Sequence, residues 1–229
     1  MKTCVLALAI TAGAAIASTT NAAVLANWTF ETSQPATAGP FAAEAGINGA
    51  TSQGSGFHAG ASTYSSPAGN GSAHSFSSNT WAVGDYYQFK TSTTGYNGIS
   101  ISWAQTGSNT GPRDFGLFWS TDGTTFTQIG GTLTVLANAA PDGPWSGVSV
   151  PNPSAFVFTM SGPAGLNNQA NVFFRIRDLT TSSINGGVVA AGGTARVDDV
   201  IISGTAVPTP GSMALIGLAG LVAGRRRRN

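Results

Sequence analysis

GISISWA, residues 98–104, decides the fold class: Ile99, Ile101 and Trp103 share one side of an extended chain, and Ser100 and Ser102 share the other. Side chains along a strand alternate between its faces, so this segment predicts a strand with one buried and one wetted side, the habit of antiparallel sheets. Working outward, DFGLFWS (114–120) and FTQIGGTLTV (126–135) flank Asp122-Gly123, a dipeptide that favours a hairpin between two strands. VLANWTF (24–30), DYYQFKT (85–91), SAFVFTM (154–160), NVFFRIRDL (171–179) and ARVDDVIIS (195–203) repeat the pattern, with Gly, Ser, Asn, Asp and Pro between them. No stretch between Val24 and Thr205 has the apolar period of a helix. The prediction is an all-β domain over residues 24–205, two packed antiparallel sheets in a jelly-roll sandwich.

Composition supports one domain of ordinary size with short appendages in a chain of 229 residues. Charged residues make only 8% of it, against about 25% in a typical soluble domain, and there are 31 glycines. Coiled coils and helical bundles are thereby excluded, while five tryptophans and twelve phenylalanines offer large buried areas to a modest core. The formal charge of +1 arises from the ends, where Lys2 and Arg225, Arg226, Arg227 and Arg228 sit. Between Val24 and Thr205 five basic residues face nine acidic ones, a net charge of −4. A nucleic-acid partner is therefore not expected, since phosphate binding needs a clustered basic face.

The two ends read as addresses. Met1 to Ala23 carries Lys2, an apolar run from Val5 to Ala17 and a small-residue stretch, the three parts of a secretory signal peptide with cleavage at Ala22 or Ala23. Cys4, the only cysteine, would leave with it, so the mature chain would hold no disulfide. At the other end, residues 206–229 contain Pro208-Thr209-Pro210, an apolar stretch from Met213 to Ala223, and the four arginines. Such a segment enters a bilayer, and its arginines hold the end on the cytoplasmic side. This tail resembles the PEP-CTERM sorting signal of bacteria with exosortase systems, departing from it where Thr209 replaces the usual central Glu. The resemblance implies transient retention at the inner membrane, then processing by an exosortase-like enzyme after signal peptidase. The product would be displayed at the cell surface or released into the extracellular matrix.

The stretch from Tyr96 to Gly130, with VFFRIRD and ARVDDVIISGTAVP downstream, is similar to the sandwich domains that precede this tail, and to galactose-binding-like jelly rolls that include many carbohydrate-binding modules. In those modules an early Phe-Glu and a late Asp-Asp-Val lie side by side at a structural calcium site. The corresponding positions are Phe30-Glu31 and Asp198-Asp199-Val200. Calcium takes six to eight oxygen ligands, so Glu31 with Asp198 or Asp199 is the candidate set. Strand parity places Asp198 with Val200 and Ile202, and Asp199 with Val197 and Ile201, which leaves open which of the two is buried. The alternative is that one pairs with Arg196 or Arg175 while the other is solvated.

Catalysis finds little footing. His58 and His74 lie in Gly/Ser-rich loops without zinc-ligand spacing, there is no Gly-x-Ser-x-Gly elbow, and a list of residue types assigns no Ser–His–acid set. Glycan recognition needs aromatic faces and a few polar groups. Trp145, in the turn-rich PDGPWSG, and Trp81, in SSNTWAVGDYY, are the candidate platform, with burial over a sheet end as the alternative for each. Trp28, Trp103 and Trp119 fall within strand patterns and belong to the core. The expectation is a non-catalytic exported protein that binds glycan or adheres. The alternatives are a structural matrix protein without a ligand, an ice-binding protein, and a small secreted hydrolase.

Overall fold

Among the described residues there are twelve strands, besides three short 3-10 helices: Ala23–Trp28 (β1), Phe41–Ala42 (β2), Gln53–Phe57 (β3), Tyr64–Ser65 (β4), Phe76–Ser78 (β5), Tyr86–Thr91 (β6), Tyr96–Gly107 (β7), Asp114–Ser120 (β8), Thr127–Thr134 (β9), Val157–Ser161 (β10), Val172–Asp178 (β11) and Ala195–Ala206 (β12). The structure is a computed structural model that describes residues 22–208. The body of the expected signal peptide, Thr209, Pro210 and Arg225 to Arg228 lie outside the described residues. Ala22 precedes β1, Ala23 opens it, and Pro208 is exposed just beyond β12.

The first sheet runs β10-β7-β12-β5-β4, with β1 also paired to β12, and the second runs β2-β3-β6-β11-β8-β9. All of these strand pairings are antiparallel. From β5 onward the orders β5-β12-β7-β10 and β6-β11-β8-β9 face each other as two four-stranded layers of a jelly roll. All eight strands read from the sequence are present. SAFVFTM differs at its start, because Pro153–Phe156 turns as a short 3-10 helix and the strand begins at Val157. The hairpin between β8 and β9 closes through Thr121 to Phe126. There the Asp122 carboxylate accepts the N–H groups of Thr124 and Thr125 at 2.8 Å, and Gly123 takes the positive φ of 74°.

β2 to β5 were not legible. They are two to five residues long, and sequences such as QGSGF lack an apolar rhythm. Tertiary pairing makes them strands: Gln53–Phe57 docks on β6 with Gly54 beneath Phe89 and Trp28.

The core fills the space between the sheets with Trp28, Trp103, Phe30, Phe76, Phe89, Phe115 and Phe174 and with the β-branched residues of β7, β11 and β12. Phe76 is the hub. Its ring lies 4.7 Å from Tyr87, 5.5 Å from Phe41, 5.6 Å from Phe30 and 5.7 Å from Tyr64, joining both sheets and the loop after β1. Phe76→Ala removes a ring with no solvent exposure and is expected to cost about 3–5 kcal/mol of unfolding free energy, read from urea denaturation curves.

Candidate functional site

β12 is paired along its whole length with β7, but its other edge is shared. Ala195 to Val197 pair with β5, and Val200 to Gly204 pair with β1. Asp198 and Asp199 occupy the gap, where a bulge sets three steps on β12 against two on β7, Asp198 opposite Ala104 and Ile201 opposite Ser102. Strict parity therefore fails here. Val197 and Val200 both face the core, Asp198 has no solvent exposure, and Asp199 takes a φ of +47° and is half-buried.

The loop before β5 closes over this gap. Asp198 Oδ2 accepts the Asn70 N–H at 2.8 Å and the Ser72 hydroxyl at 2.7 Å, while its Oδ1 accepts the Asp199 N–H at 2.8 Å. Glu31 arrives from the end of β1, where its Oε1 accepts the His74 N–H at 2.8 Å. A Cβ on Gly69 would sit 2.0 Å from Asp198 Oδ2, so only glycine lets the loop come this close. Burial, aided by the neighbouring Asp199 charge, pushes the Asp198 carboxyl up to about 7. Asp199 is raised by burial and then by the charge of Glu31.

The structure thus brings Glu31, Asp198 and Asp199 into one electrostatically coupled group, although among the described residues no three acidic, His or Cys side chains form a metal cage unaided. Neither arginine neutralises it by a salt bridge. Arg196 donates to the Ala68 carbonyl at 2.9 Å, and Arg175 belongs to the other sheet. A cavity of about 370 Å³ opens beside the group, lined by Asp199, Asn70, Ser102 and Val157, and the buried Asn70 Oδ1 has no hydrogen-bond partner.

The two tryptophans proposed as a platform are not one. Trp145 is 4% exposed, its ring edge-on to Phe156 at 5.7 Å in a small cluster with Ala104 and Val150. Trp81 is 7% exposed, covering the end of the core against Tyr87 and Phe115 and donating to the Ser78 carbonyl at 3.0 Å. Turn-rich surroundings suggested exposure for Trp145. The loop instead folds the ring onto the outer side of β7, burying more apolar area than solvent would leave.

Trp81 also covers a hydrogen-bonded set with the outline of a catalytic triad. His58 Nδ1 lies 2.9 Å from Asp85 Oδ2, and His58 Nε2 lies 2.9 Å from Ser78 Oγ. Its burial argues against use as a nucleophile: Ser78 and Asp85 are each 1% exposed. The proton count argues the same way. Tyr87 donates to the Ala195 carbonyl, so the 2.8 Å contact between Ser78 Oγ and the Tyr87 hydroxyl takes the serine proton, directing it away from His58. Asp85 further accepts the N–H groups of Ala59 and Ala82 at 2.8 Å, which makes the set a buried clip between β5, β6 and the loop after β3.

The outward face of the second sheet is different in kind. Alternation along β6 puts Tyr87, Phe89 and Thr91 inside and Tyr86, Gln88 and Lys90 outside; along β11 it puts Phe173, Arg175 and Arg177 outside. Register lines these up in rows across the sheet: Ser55, Gln88, Arg175, Phe118 and Gln128 in one, and Phe57, Tyr86, Arg177 and Gly116 in the next. Four planar groups stack side by side. Phe57 lies on Tyr86 at 5.0 Å and 16°, and the Arg175 guanidinium lies 4.0 Å from the Tyr86 ring and 3.6 Å from that of Phe126. Gln88 Oε1 accepts Arg175 Nε–H at 2.8 Å and fixes the guanidinium plane. Arg177 stands over Phe118 at 5.2 Å, and Lys90 over Phe173 at 5.5 Å. All of these side chains keep partial or full contact with solvent. The tryptophans drew attention from this face, yet its signal lay in the outward positions of DYYQFKT and NVFFRIRDL.

No protein-family model matches the chain, and no curated protein matches it. Among solved structures, the chain is similar to the CBM22-1 xylan-binding domain of Xyn10C from Paenibacillus barcinonensis, at 10% identity and a TM-score of 0.46 over 83% of this chain and 100% of that one. It is also similar to the K1 cleaved adhesin domain of Lys-gingipain from Porphyromonas gingivalis, at 18% identity and a TM-score of 0.42 over 77% of this chain and 95% of that one. A further likeness is to TmCBM61 in complex with β-1,4-galactotriose, at 10% identity and a TM-score of 0.35, covering 66% and 86% of the two chains.

The carboxylate group yields a pH test with a definite sign. Asp198 holds its proton to about pH 7 in the folded state and releases it near 3.8 when unfolded, so its charge costs stability as pH rises through that window. Asp198→Asn keeps the acceptor oxygen and removes that charge. In chelator, its stability relative to the parent is expected to rise from near parity at pH 4 to a full gain by pH 7.5, measured by urea denaturation.

Proposed function

We propose that the protein is an exported, non-catalytic module that binds polysaccharide on the outward face of its second sheet. The observation that carries this reading is the stack of Phe57, Tyr86, Arg175 and Phe126 with Gln88 beside it. Aromatic carbon supplies apolar contact to sugar C–H groups, while the Tyr86 hydroxyl, the Gln88 amide and the Arg175 edge supply directional hydrogen bonds to sugar hydroxyls. Mutual stacking holds these groups in place before a ligand arrives, which lowers the ordering cost of binding. Export to the cell surface or extracellular matrix rests on the Lys2-led apolar leader with its Ala22–Ala23 boundary. Sorting rests on the Pro208-Thr209-Pro210 tail with Arg225 to Arg228, the segments signal peptidase and an exosortase-like enzyme would process.

A structural calcium ion is part of the proposal. Glu31 and Asp199 would hold it, with Asn70 Oδ1 as a neutral oxygen donor, while Asp198 is committed to the loop N–H and hydroxyl groups around it. An all-oxygen set suits a hard cation, and the ion would offset carboxylate charges that now oppose one another. Chelation is expected to lower the melting temperature of the calcium-loaded protein, and an unchanged melting curve in excess chelator would remove calcium from the account.

Binding is tested by isothermal titration of the purified protein against a panel of soluble polysaccharides. Saturable binding is expected, and Tyr86→Ala, which dismantles the stack, is expected to weaken it at least tenfold, about 1.4 kcal/mol, with Phe57→Ala weakening it less. Trp145→Phe is expected to leave affinity alone. Saturable binding by none of the panel would overturn the reading in favour of a structural matrix protein. Mass spectrometry of the native product tests the termini: both the leader and the arginine tail are expected to be missing.

A further inference from the structure

The basic residues of this domain differ in what they are paired with. Of the five basic residues between Val24 and Thr205, Arg113 is paired with Asp114 at 2.8 Å, and Arg196 is half-buried on the first sheet, donating to the Ala68 carbonyl beside Trp145. The other three, Lys90, Arg175 and Arg177, stand on the outward face of the second sheet, and among the described residues none of them has a carboxylate partner. Most of the acidic residues are engaged by other groups. Glu31, Asp198 and Asp199 form the group on β12, and Glu44 accepts the N–H groups of Glu31, Thr32 and Ser33. Asp85 holds His58, Asp122 closes the hairpin, and Asp178 is fully buried.

Geometry says what these cations are free to do. Arg175 is stacked through both faces of its guanidinium, and stacking leaves the edge, which carries the N–H donors. One of those donors is used by Gln88, and among the described residues no protein acceptor takes the others. Arg177 is half-buried beside Phe118, its Nε covered, so only the rest of its guanidinium can meet a ligand. Lys90, Arg175 and Arg177 fall in three successive rows of the sheet, which in β geometry sets rows about 7 Å apart along the strands. A polymer with carboxylates at regular intervals meets such a ladder with one charge per row.

Resting on the polysaccharide reading above, we infer that the ligand is an acidic polysaccharide, its carboxylates received by Arg175, Arg177 and Lys90 between the stacked rings. The net charge of −4 on the domain as a whole makes this a local match rather than a general attraction for polyanions.

Polygalacturonate and its fully methyl-esterified form share a backbone and differ in charge, so comparing them isolates the claim. Titration of the purified protein is expected to show at least tenfold tighter binding of the acid than of the ester at 50 mM salt, and the ratio is expected to narrow by 500 mM as screening shortens. In the Lys90→Gln/Arg177→Gln double variant the ratio is expected to fall towards one. Its melting temperature is checked against the parent, and Lys90→Gln alone, at a half-buried surface residue, gives a smaller fall in the same direction. Equal affinity for acid and ester would overturn the acidic ligand and leave the polysaccharide reading standing. A ratio unmoved by the double variant would overturn the assignment to these residues. Binding of neither form nor of any neutral polysaccharide would overturn both readings, and tighter binding of oligo(dT) than of polygalacturonate would replace the polysaccharide with a nucleic acid.

Discussion

The divided edge of β12 is the constraint on which the sandwich depends. One strand of twelve residues serves as the partner of β7 on one side and of two different strands on the other. β1 cannot extend far enough to finish the job, and β5 enters from the opposite end, so the ladder must break where they meet. A break in the middle of a sheet leaves backbone polar groups to be satisfied. The bulge at Asp198–Asp199, the positive φ of Asp199 and the loop from Gly69 to His74 are the local answer, with carboxylate oxygens accepting N–H groups that no strand reaches. The cost is negative charge placed where water is scarce, with Glu31, Asp198 and Asp199 close enough to oppose one another's ionisation.

Most of the architecture was visible in the alternation of eight segments, because period-two patterning records one-sided burial directly. The strands that escaped notice, β2 to β5, are short and rich in glycine and serine; they are held by their neighbours and not by their own preference. Parity was reliable along β6 and β11, where no bulge intervenes, and through Ile99, Ile101 and Trp103 of β7; at β12 it left open which aspartate is buried, because the bulge there changes which side chains lie inside. Glu31, Asp198 and Asp199 were singled out through a resemblance in their motifs, and they lie close enough to couple electrostatically. The platform tryptophans were chosen by residue type and loop context, and neither is a measure of burial: Trp145 sits in a turn and is covered all the same.

The two sheets hold their charges differently. The first brings Asp198 and Asp199 beside Glu31 where strands end and a loop folds back, with the half-buried Arg196 near them and salt-bridged to none of the three. The second, regular and unbulged across β3, β6 and β11, offers a flat lattice on which outward residues keep a fixed spacing. Rings and cations interleave there in a way that a loop could not hold, since each plane is kept upright by the next. Regular pairing thus arranges side chains on the second sheet as irregular pairing does on the first: each arrangement follows from its own strand geometry.

The antiparallel pairing of β1 with β12 sets Ala23 opposite Gly204, so the chain enters and leaves the domain side by side. Tension applied between those two ends would open the pair like a zipper, one rung at a time, and would meet little resistance. Tension between the end of β12 and the outward face of the second sheet follows another line. It enters a strand held along both edges and must shear many rungs together before anything slides. A tether at one terminus and a hold on the sheet face would therefore load this fold in its mechanically strong direction.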